Sequence, residues 1–486
     1  MKSLDQLDYC HTYADLGSSL SSRVNPTPLS DPYLIHTNHR LATQLGIDIE
    51  SVGDEILIQL LSGQGILESW SPIAMKYTGH QFGQYNPDLG DGRGLLLTEF
   101  INDDGEKWDF HLKGSGQTPY SRGADGRAVI RSSVREYLIS AAMDGLSIPT
   151  TQALAISGAS TPVRREEIES AATLLRIAPS HVRFGHFEYL FYSGQHSEIK
   201  ALADYIILWH MPELKDSEDK YAAFFQQVTK RTASMIAHWQ AYGFCHGVMN
   251  TDNMSILGLT FDYGPFAFLD TYLSKHICNH SDYSGRYAFH QQPGIGQWNL
   301  SALGYALSSL IDSKEIEASL QEYATHIQAE YRRLMRARFG LDSVHESDPE
   351  LINACLELME KLGLDFHFTL RVLSETGPDN WTDIELDSTL NKPEFIAWLR
   401  EYQQRIALDY SHDQERQNAM QGVNPKYILR THLAQEAIEQ VENGEFELLE
   451  TWLTVLANPF IEHACPSHWS LPPSNDQKSI CLSCSS

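Results

Sequence analysis

The sequence predicts an α+β protein of two lobes, a small β-rich lobe followed by a large helical one, with an N-terminal arm and a C-terminal tail. Three observations carry this. Residues 94–101 and 107–113 are strand-like and are joined by a turn signal. From about residue 197 the pattern changes to long stretches with apolar residues every three or four positions, continuing to about 457. Prolines crowd both ends, at Pro26, Pro28 and Pro32 and again within 466–486. The expected divisions are 1–75 for the arm, 76–195 for the β-rich lobe, 196–465 for the helical lobe and 466–486 for a loose tail.

The elements follow in order. The prolines break the arm, leaving short helical pieces near Leu41 and over 56–61. Gly94 to Ile101 reads as a strand, Asn102-Asp103-Asp104-Gly105 as a hairpin turn, and Lys107 to Lys113 as the returning strand. A polar, glycine-rich loop covers 114–126. A helix is expected over about 133–144, with Val134, Tyr137, Leu138 and Ala141 on one stripe. Strand-like pieces are expected over 150–157 and 174–192, and helices over 198–209 and 219–241. Residues 244–275 interrupt the helical pattern.

Composition limits what the protein does. Lys and Arg number 36 against 63 Asp and Glu, a formal charge of −27, which disfavours general binding to nucleic acid or anionic membrane. Residues 107–183 reverse the sign, with 10 basic against 7 acidic residues, so a confined anion site fits better than a broad basic face. The seven cysteines, at 10, 245, 278, 355, 465, 481 and 484, do not make a secreted disulfide framework. No signal-like start and no run of 18 apolar residues stands out. The expectation is a soluble protein of the bacterial cytoplasm. His276, Cys278, His280 and His290 are spaced so that a metal site is a minor alternative.

The chemistry-bearing residues stand in a telling order. Gly90-Asp91-Gly92-Arg93-Gly94 can bring backbone N–H groups and a guanidinium to phosphate oxygens. Lys113 ends a strand and Glu136 lies on the next helix, the arrangement by which kinases hold nucleotide phosphates. A capping box, Ser133-x-x-Glu136, accounts for that glutamate without chemistry. His246-Gly247-Val248-Met249-Asn250-Thr251-Asp252-Asn253, followed by Asp262-Tyr263-Gly264, has the frame of a kinase catalytic loop and its metal-binding aspartate motif. Asn253 and Asp262 offer the hard oxygen ligands a divalent cation takes. Val248 stands where a kinase carries its catalytic aspartate and can accept no proton. Asp252 offers a carboxylate from another point. The frame points to a protein-kinase-like two-lobed fold, and the shifted carboxylate hints that the nucleophile attacks another phosphorus atom.

These strings identify the chain as a member of the selenoprotein O, or YdiU, family. The resemblance also runs through His80-Gln81-Phe82-Gly83, Leu112 to Arg122, Ala124-Asp125-Gly126-Arg127 and Asn424-Pro425-Lys426-Tyr427, and covers nearly the whole chain. It implies a pseudokinase fold that transfers AMP from ATP to protein hydroxyls, with the nucleotide flipped relative to kinases. It implies further that Gly90, Gly92, Arg93, Lys113, Asp125, Gly126, Arg176, Arg183 and Asp262 hold ATP. Asn253 and Asp262 then hold Mg²⁺ or Mn²⁺, Glu136 supports Lys113, and Asp252 accepts the proton. Acceptors are Ser, Thr or Tyr side chains of proteins. The family's selenoproteins carry selenocysteine in a C-x-x-U tail. Here Cys481-Leu482-Ser483-Cys484 makes the tail thiol-only, and a Cys278–Cys484 disulfide is a candidate redox control. The rival readings are a kinase-like phosphotransferase, a nucleotide-binding pseudokinase scaffold and, more weakly, a thiol oxidoreductase.

Overall fold

A computed structural model describes residues 1–377, 392–410, 412–477 and 480. Thirteen strands occur among these residues. They are β1 (Asp8–Cys10), β2 (Ser21–Arg23), β3 (Pro32–Thr37), β4 (Ile73–Met75), β5 (Gly79–Gln81), β6 (Gln84–Asn86), β7 (Gly94–Ile101), β8 (Lys107–Lys113), β9 (Ala128–Val129), β10 (Gln152–Arg164), β11 (Ile168–Ala178), β12 (Phe244–Cys245) and β13 (Ala267–Phe268). Nine of them form one antiparallel sheet in the order β2-β4-β7-β8-β11-β10-β3, with β1 beside β7 and β9 beside β11. The chain is thus a mixed α+β protein with one large antiparallel sheet and many helices.

Strand alternation explains how this sheet serves two purposes. On β8, Phe110 and Leu112 join an apolar cluster with Leu41, Leu57, Leu60 and Leu61 of helices α1 (His39–Gln44) and α2 (Asp54–Ser62). Successive side chains face opposite ways, so Asp109, His111 and Lys113 fall on the other face. On β11, Leu175 and Ile177 join the same cluster, which turns Leu174 and Arg176 to that other face. There α3 (Ile130–Gly145) packs Val134, Tyr137 and Leu138 into the main core.

The helical part continues with α4 (Phe184–Tyr192), α5 (His196–His210), α6 (Lys220–Ala241), α7 (Gln292–Ala306) and α8 (Ser313–Arg338). Then follow α9 (Asp348–Leu362), α10 (Phe366–Glu375), α11 (Pro393–Ile406), α12 (Asp413–Gln421), α13 (Thr431–Glu442) and α14 (Glu447–Ala457). Between α6 and α7, β12 and β13 pair antiparallel and close the loop that carries residues 246–266. Among the described residues no helix is long and apolar enough to cross a membrane.

Four expectations need correction. Residues 1–75 are not irregular: β1 to β4 lie in the main sheet, because its edge strands pair with partners remote in sequence. Residues 184–192 form a helix and not a strand. The aromatic run reads as β locally, but Phe184, Phe187 and Leu190 are buried at helical spacing in the core. The helix expected to begin at 133 begins at Ile130, so Ser133 is an interior, buried residue and caps nothing. The tail is partly anchored: Trp469 is buried and stacks on Trp452 with ring centroids 3.7 Å apart.

Candidate nucleotide-binding and transfer site

The functional face of the sheet and the 246–266 loop enclose a cavity of about 640 Å³, within the range of small-molecule sites. Gly90, Gly92, Arg93, Lys113, Asp125, Gly126, Arg176, Arg183, Asp252, Asn253 and Asp262 all line it. The glycine cluster precedes β7. Gly90 has φ +120°, and a Cβ there would lie 2.8 Å from the Tyr120 ring, so both backbone shape and packing require glycine. Asp91 points away from solvent. Its carboxylate accepts hydrogen bonds from Met75 N (3.1 Å) and Tyr77 Oη (3.2 Å) and lies 3.1 Å from His111 Nε2.

Lys113, Arg176 and Arg183 come together from β8, β11 and the segment entering α4. Glu136 Oε2 lies 2.5 Å from Lys113 Nζ, and Glu136 Oε1 lies 2.5 Å from Arg176 Nε. Arg176 also reaches Asp262 Oδ1 (2.9 Å), and Arg183 Nη1 reaches Asp262 Oδ2 (2.5 Å). The guanidinium of Arg183 lies between the rings of Tyr77 and Phe261, 4.3 and 4.5 Å from their centroids. Three cations against two carboxylates leave a positive surplus. Burial pushes the Lys113 ammonium down to about 8, against the opposing pull of Glu136. Burial would raise Glu136, but Arg176 and Lys113 outweigh it and hold the carboxyl at about 2. For Asp262 burial is likewise outweighed, by Arg183 and Arg176, and the group stays well below the usual carboxylate range. Glu136 does not line the cavity; it stands behind it and braces two of its cations. The capping explanation of this residue is therefore replaced by an ionic one.

The loop supplies the remaining groups. Thr251, Asp252 and Asn253 make one 3₁₀ turn. Asn253 Nδ2 donates to Val248 O (3.1 Å), which occupies its nitrogen on the loop itself. Asp262 has φ +56°, a left-handed conformation in which aspartate is tolerated better than most residues. An amide oxygen and an ionised carboxylate lining one cavity fit a hard divalent cation that takes its other ligands from phosphate and water. To coordinate one, Asp262 must loosen its arginine pairs. Asp252 is 7% exposed and burial pushes its carboxyl up to about 7, partly offset by Arg183. Its Oδ2 accepts from Gln81 Nε2 (3.3 Å), while Oδ1 is buried with no hydrogen-bond partner among the described residues.

Other expected residues are placed differently. Asp125 sits at the rim, with Oδ2 2.7 Å from Arg165 Nη1 and Oδ1 accepting from Arg127 N. Cys278 is buried, burial raises its thiol well above the ordinary value, and Sγ donates to Cys245 O at 3.4 Å. It packs on the loop, since a Cβ on Gly247 would lie 2.6 Å from its sulfur. Cys481 and Cys484 lie outside the described residues. The metal alternative for His276, Cys278, His280 and His290 is not formed. No group of three or more His, Cys, Asp or Glu side chains able to hold a metal occurs among the described residues; Cys278 is buried while His280 and His290 are exposed. Residue-level reading gave no role to Gln81, Asp91 or His111. The only signal was that Gln81 and Asp91 lie in or beside the quoted strings.

Comparison with known proteins adds a separate line. The family model described as protein adenylyltransferase SelO matches residues 3–457. A Vibrio cholerae protein named protein nucleotidyltransferase YdiU is 52% identical over 483 residues, 98% of each chain. Proteins of the same name from Vibrio atlanticus and Pseudomonas aeruginosa are 50% identical over 485 residues (99% of each chain) and 47% identical over 486 residues (100% of each chain).

Proposed function

The chain belongs to the family of protein adenylyltransferase SelO, and from that membership we propose that it transfers AMP from ATP to Ser, Thr or Tyr hydroxyls of other proteins, releasing pyrophosphate. One observation supports this most directly. The acceptor carboxylate of an ordinary kinase is replaced by Val248, yet Asp252 lies in the same cavity, buried, with Oδ1 unpartnered. A base displaced in this way suits attack at a different phosphorus.

In this reading Lys113 and Arg176, braced by Glu136, bind the β- and γ-phosphates, with Arg183 and Arg93 on the same cavity. Gly90, Gly92, Asp125 and Gly126 shape the wall beside them. The acceptor hydroxyl gives its proton to the Asp252 carboxylate as its oxygen bonds to the α-phosphorus. The bond from that phosphorus to the β-bridging oxygen breaks, and the electron pair leaves on pyrophosphate. Fixed cations stabilise the charge that grows there, and they need no reorganisation as it grows. Asn253 and Asp262 would hold Mg²⁺ or Mn²⁺, which supplies charge neutralisation to the phosphates.

On the same reading, residues 76–195 and 196–465 are the two lobes of a protein-kinase-like fold, with the arm completing the sheet of the smaller one. The place of action is the cytoplasm. Incubation with ATP labelled at the α- or the γ-phosphate tests the reaction. Label from the α position should appear on protein and label from the γ position should not. The reverse result would establish phosphotransfer. Asp252→Asn should abolish transfer while nucleotide still binds; a nucleotide-binding parent that transfers neither label would point to the scaffold.

A further inference from the structure

Asp252 has two carboxylate oxygens, and the structure treats them differently. Oδ2 accepts from Gln81 Nε2, and Oδ1 is buried against Gly79 with no hydrogen-bond partner among the described residues. Gln81 ends β5, which pairs with β6 through Gly79 opposite Asn86 and Gln81 opposite Gln84. Its amide is not free to choose which end faces Asp252. The backbone N–H of Asp88 donates to Asn86 Oδ1 (3.0 Å). That turns Asn86 Nδ2 toward Gln81 Oε1, to which it donates at 3.0 Å. Gln81 Nε2 is then the end left for Asp252. A main-chain N–H can only donate, so the orientation of both amides is fixed from one end of the relay.

The hairpin carrying this relay is tied to the loop it serves. His80 N donates to Thr251 Oγ1 (2.7 Å), one residue before Asp252. Glu188 of α4, fully buried, lies 2.6 Å from His80 Nδ1 through Oε1, and its Oε2 accepts from the Thr251 hydroxyl. These hydrogen bonds tie the hairpin and the loop to each other and to α4.

We propose that Gln81, oriented by Asn86, is a positioning residue of the transfer reaction: by donating to Oδ2, while Oδ1 is packed against Gly79, it fixes the orientation in which the Asp252 carboxylate meets the incoming hydroxyl. This rests on Asp252 being the proton acceptor. Gln81 lines the cavity but its amide is engaged by the Asp252 carboxylate, so its loss should act on turnover more than on nucleotide binding.

Two variants of the full chain test it. Gln81→Met keeps the side-chain length and removes the donor. Asn86→Asp keeps the shape but puts an oxygen where Nδ2 stood, so Gln81 must turn its Nε2 away from Asp252 and its Oε1 toward it. The readouts are kcat and KM for ATP, nucleotide Kd and melting temperature. Each single variant should lose about tenfold or more in kcat, with KM and Kd within about twofold of the parent and the melting temperature retained. The double variant should be no slower than the slower single one, since both act through one hydrogen bond. A kcat within twofold of the parent for Gln81→Met, a parallel loss of ATP affinity, or losses that multiply in the double variant would overturn the assignment. Reactions run with α- and γ-labelled ATP side by side separate this from the AMP reading. Transfer of the γ label by the parent removes only that reading, and the rate ratios on whichever label moves still decide the role of Gln81.

Discussion

Replacing Gly79 by alanine should slow turnover sharply while leaving nucleotide binding intact. A Cβ at this buried position would lie 2.8 Å from Asp252 Oδ1, 2.9 Å from Asp252 N and 3.0 Å from Asp252 Cβ. Ordinary contact begins at about 3.4 Å, so the closest approach falls short by roughly 0.6 Å. Rotating the aspartate side chain relieves only one of the three contacts, because the others involve its backbone nitrogen and its own Cβ. The loop cannot retreat freely, since Thr251 is held by His80 N and Glu188. Overpacking of this kind costs about 1–3 kcal/mol of stability. A displacement of about half an ångström at Asp252, the proposed proton acceptor, should cost on the order of 10- to 100-fold in kcat, equivalent to roughly 1.4–2.7 kcal/mol in the barrier. Lys113, Arg176 and Glu136 come from β8, β11 and α3, so ATP affinity should stay within about twofold. Steady-state transfer rates and calorimetric titration with ATP give both numbers. Parent-like kcat in a folded Gly79→Ala protein would refute the claim that Asp252 is held by this close approach.

Three other outcomes follow from the packing and charge. Glu136→Gln leaves Lys113 and Arg176 facing each other with one carboxylate fewer, and should destabilise the nucleotide-free protein by about 3 kcal/mol. Phosphates can replace the lost charge, so ATP should raise the melting temperature of this variant more than that of the parent; an equal or smaller rise would count against the cation ladder as a phosphate site. Burial holds His181 at about 4 and His186 at about 3, both below the ordinary 6.5. The unfolded chain therefore binds more protons below pH 6.5, and stability that is complete above 6.5 drains away as pH falls toward 4 and then 3. Denaturant unfolding at pH 7.5 and pH 5 should differ by at most about 2 kcal/mol for each of these histidines, with a flat profile ruling out their neutral burial. Trp469→Ala should cost about 3 kcal/mol in chemical denaturation, because it empties the stack on Trp452; a neutral result would mean that residues near 469 are not anchored to α14.

Features set by neighbouring residues could be read directly along the chain. Strands β7 and β8 and the turn between them were legible from alternation and the Asn-Asp-Asp-Gly signal. Helices α5 and α6 were legible from their three-to-four spacing. The order Lys113, Val248, Asn253, Asp262 singled out residues that line one cavity. The partnerships between distant residues emerged only on folding. Glu136 looked like a helix cap until β11 brought Arg176 against it from 40 residues away. Residues 184–192 looked like a strand until the core took Phe184, Phe187 and Leu190 as one helical face. Gln81 had no role until a hairpin set it beside a carboxylate 171 residues further along the chain. Periodicity and turn chemistry act over a few residues and can be read in a line. The burial that raises Asp252, and the charges that hold Glu136 and Asp262 ionised, depend on which distant groups share a low-dielectric space, and that is settled only when the chain has closed on itself.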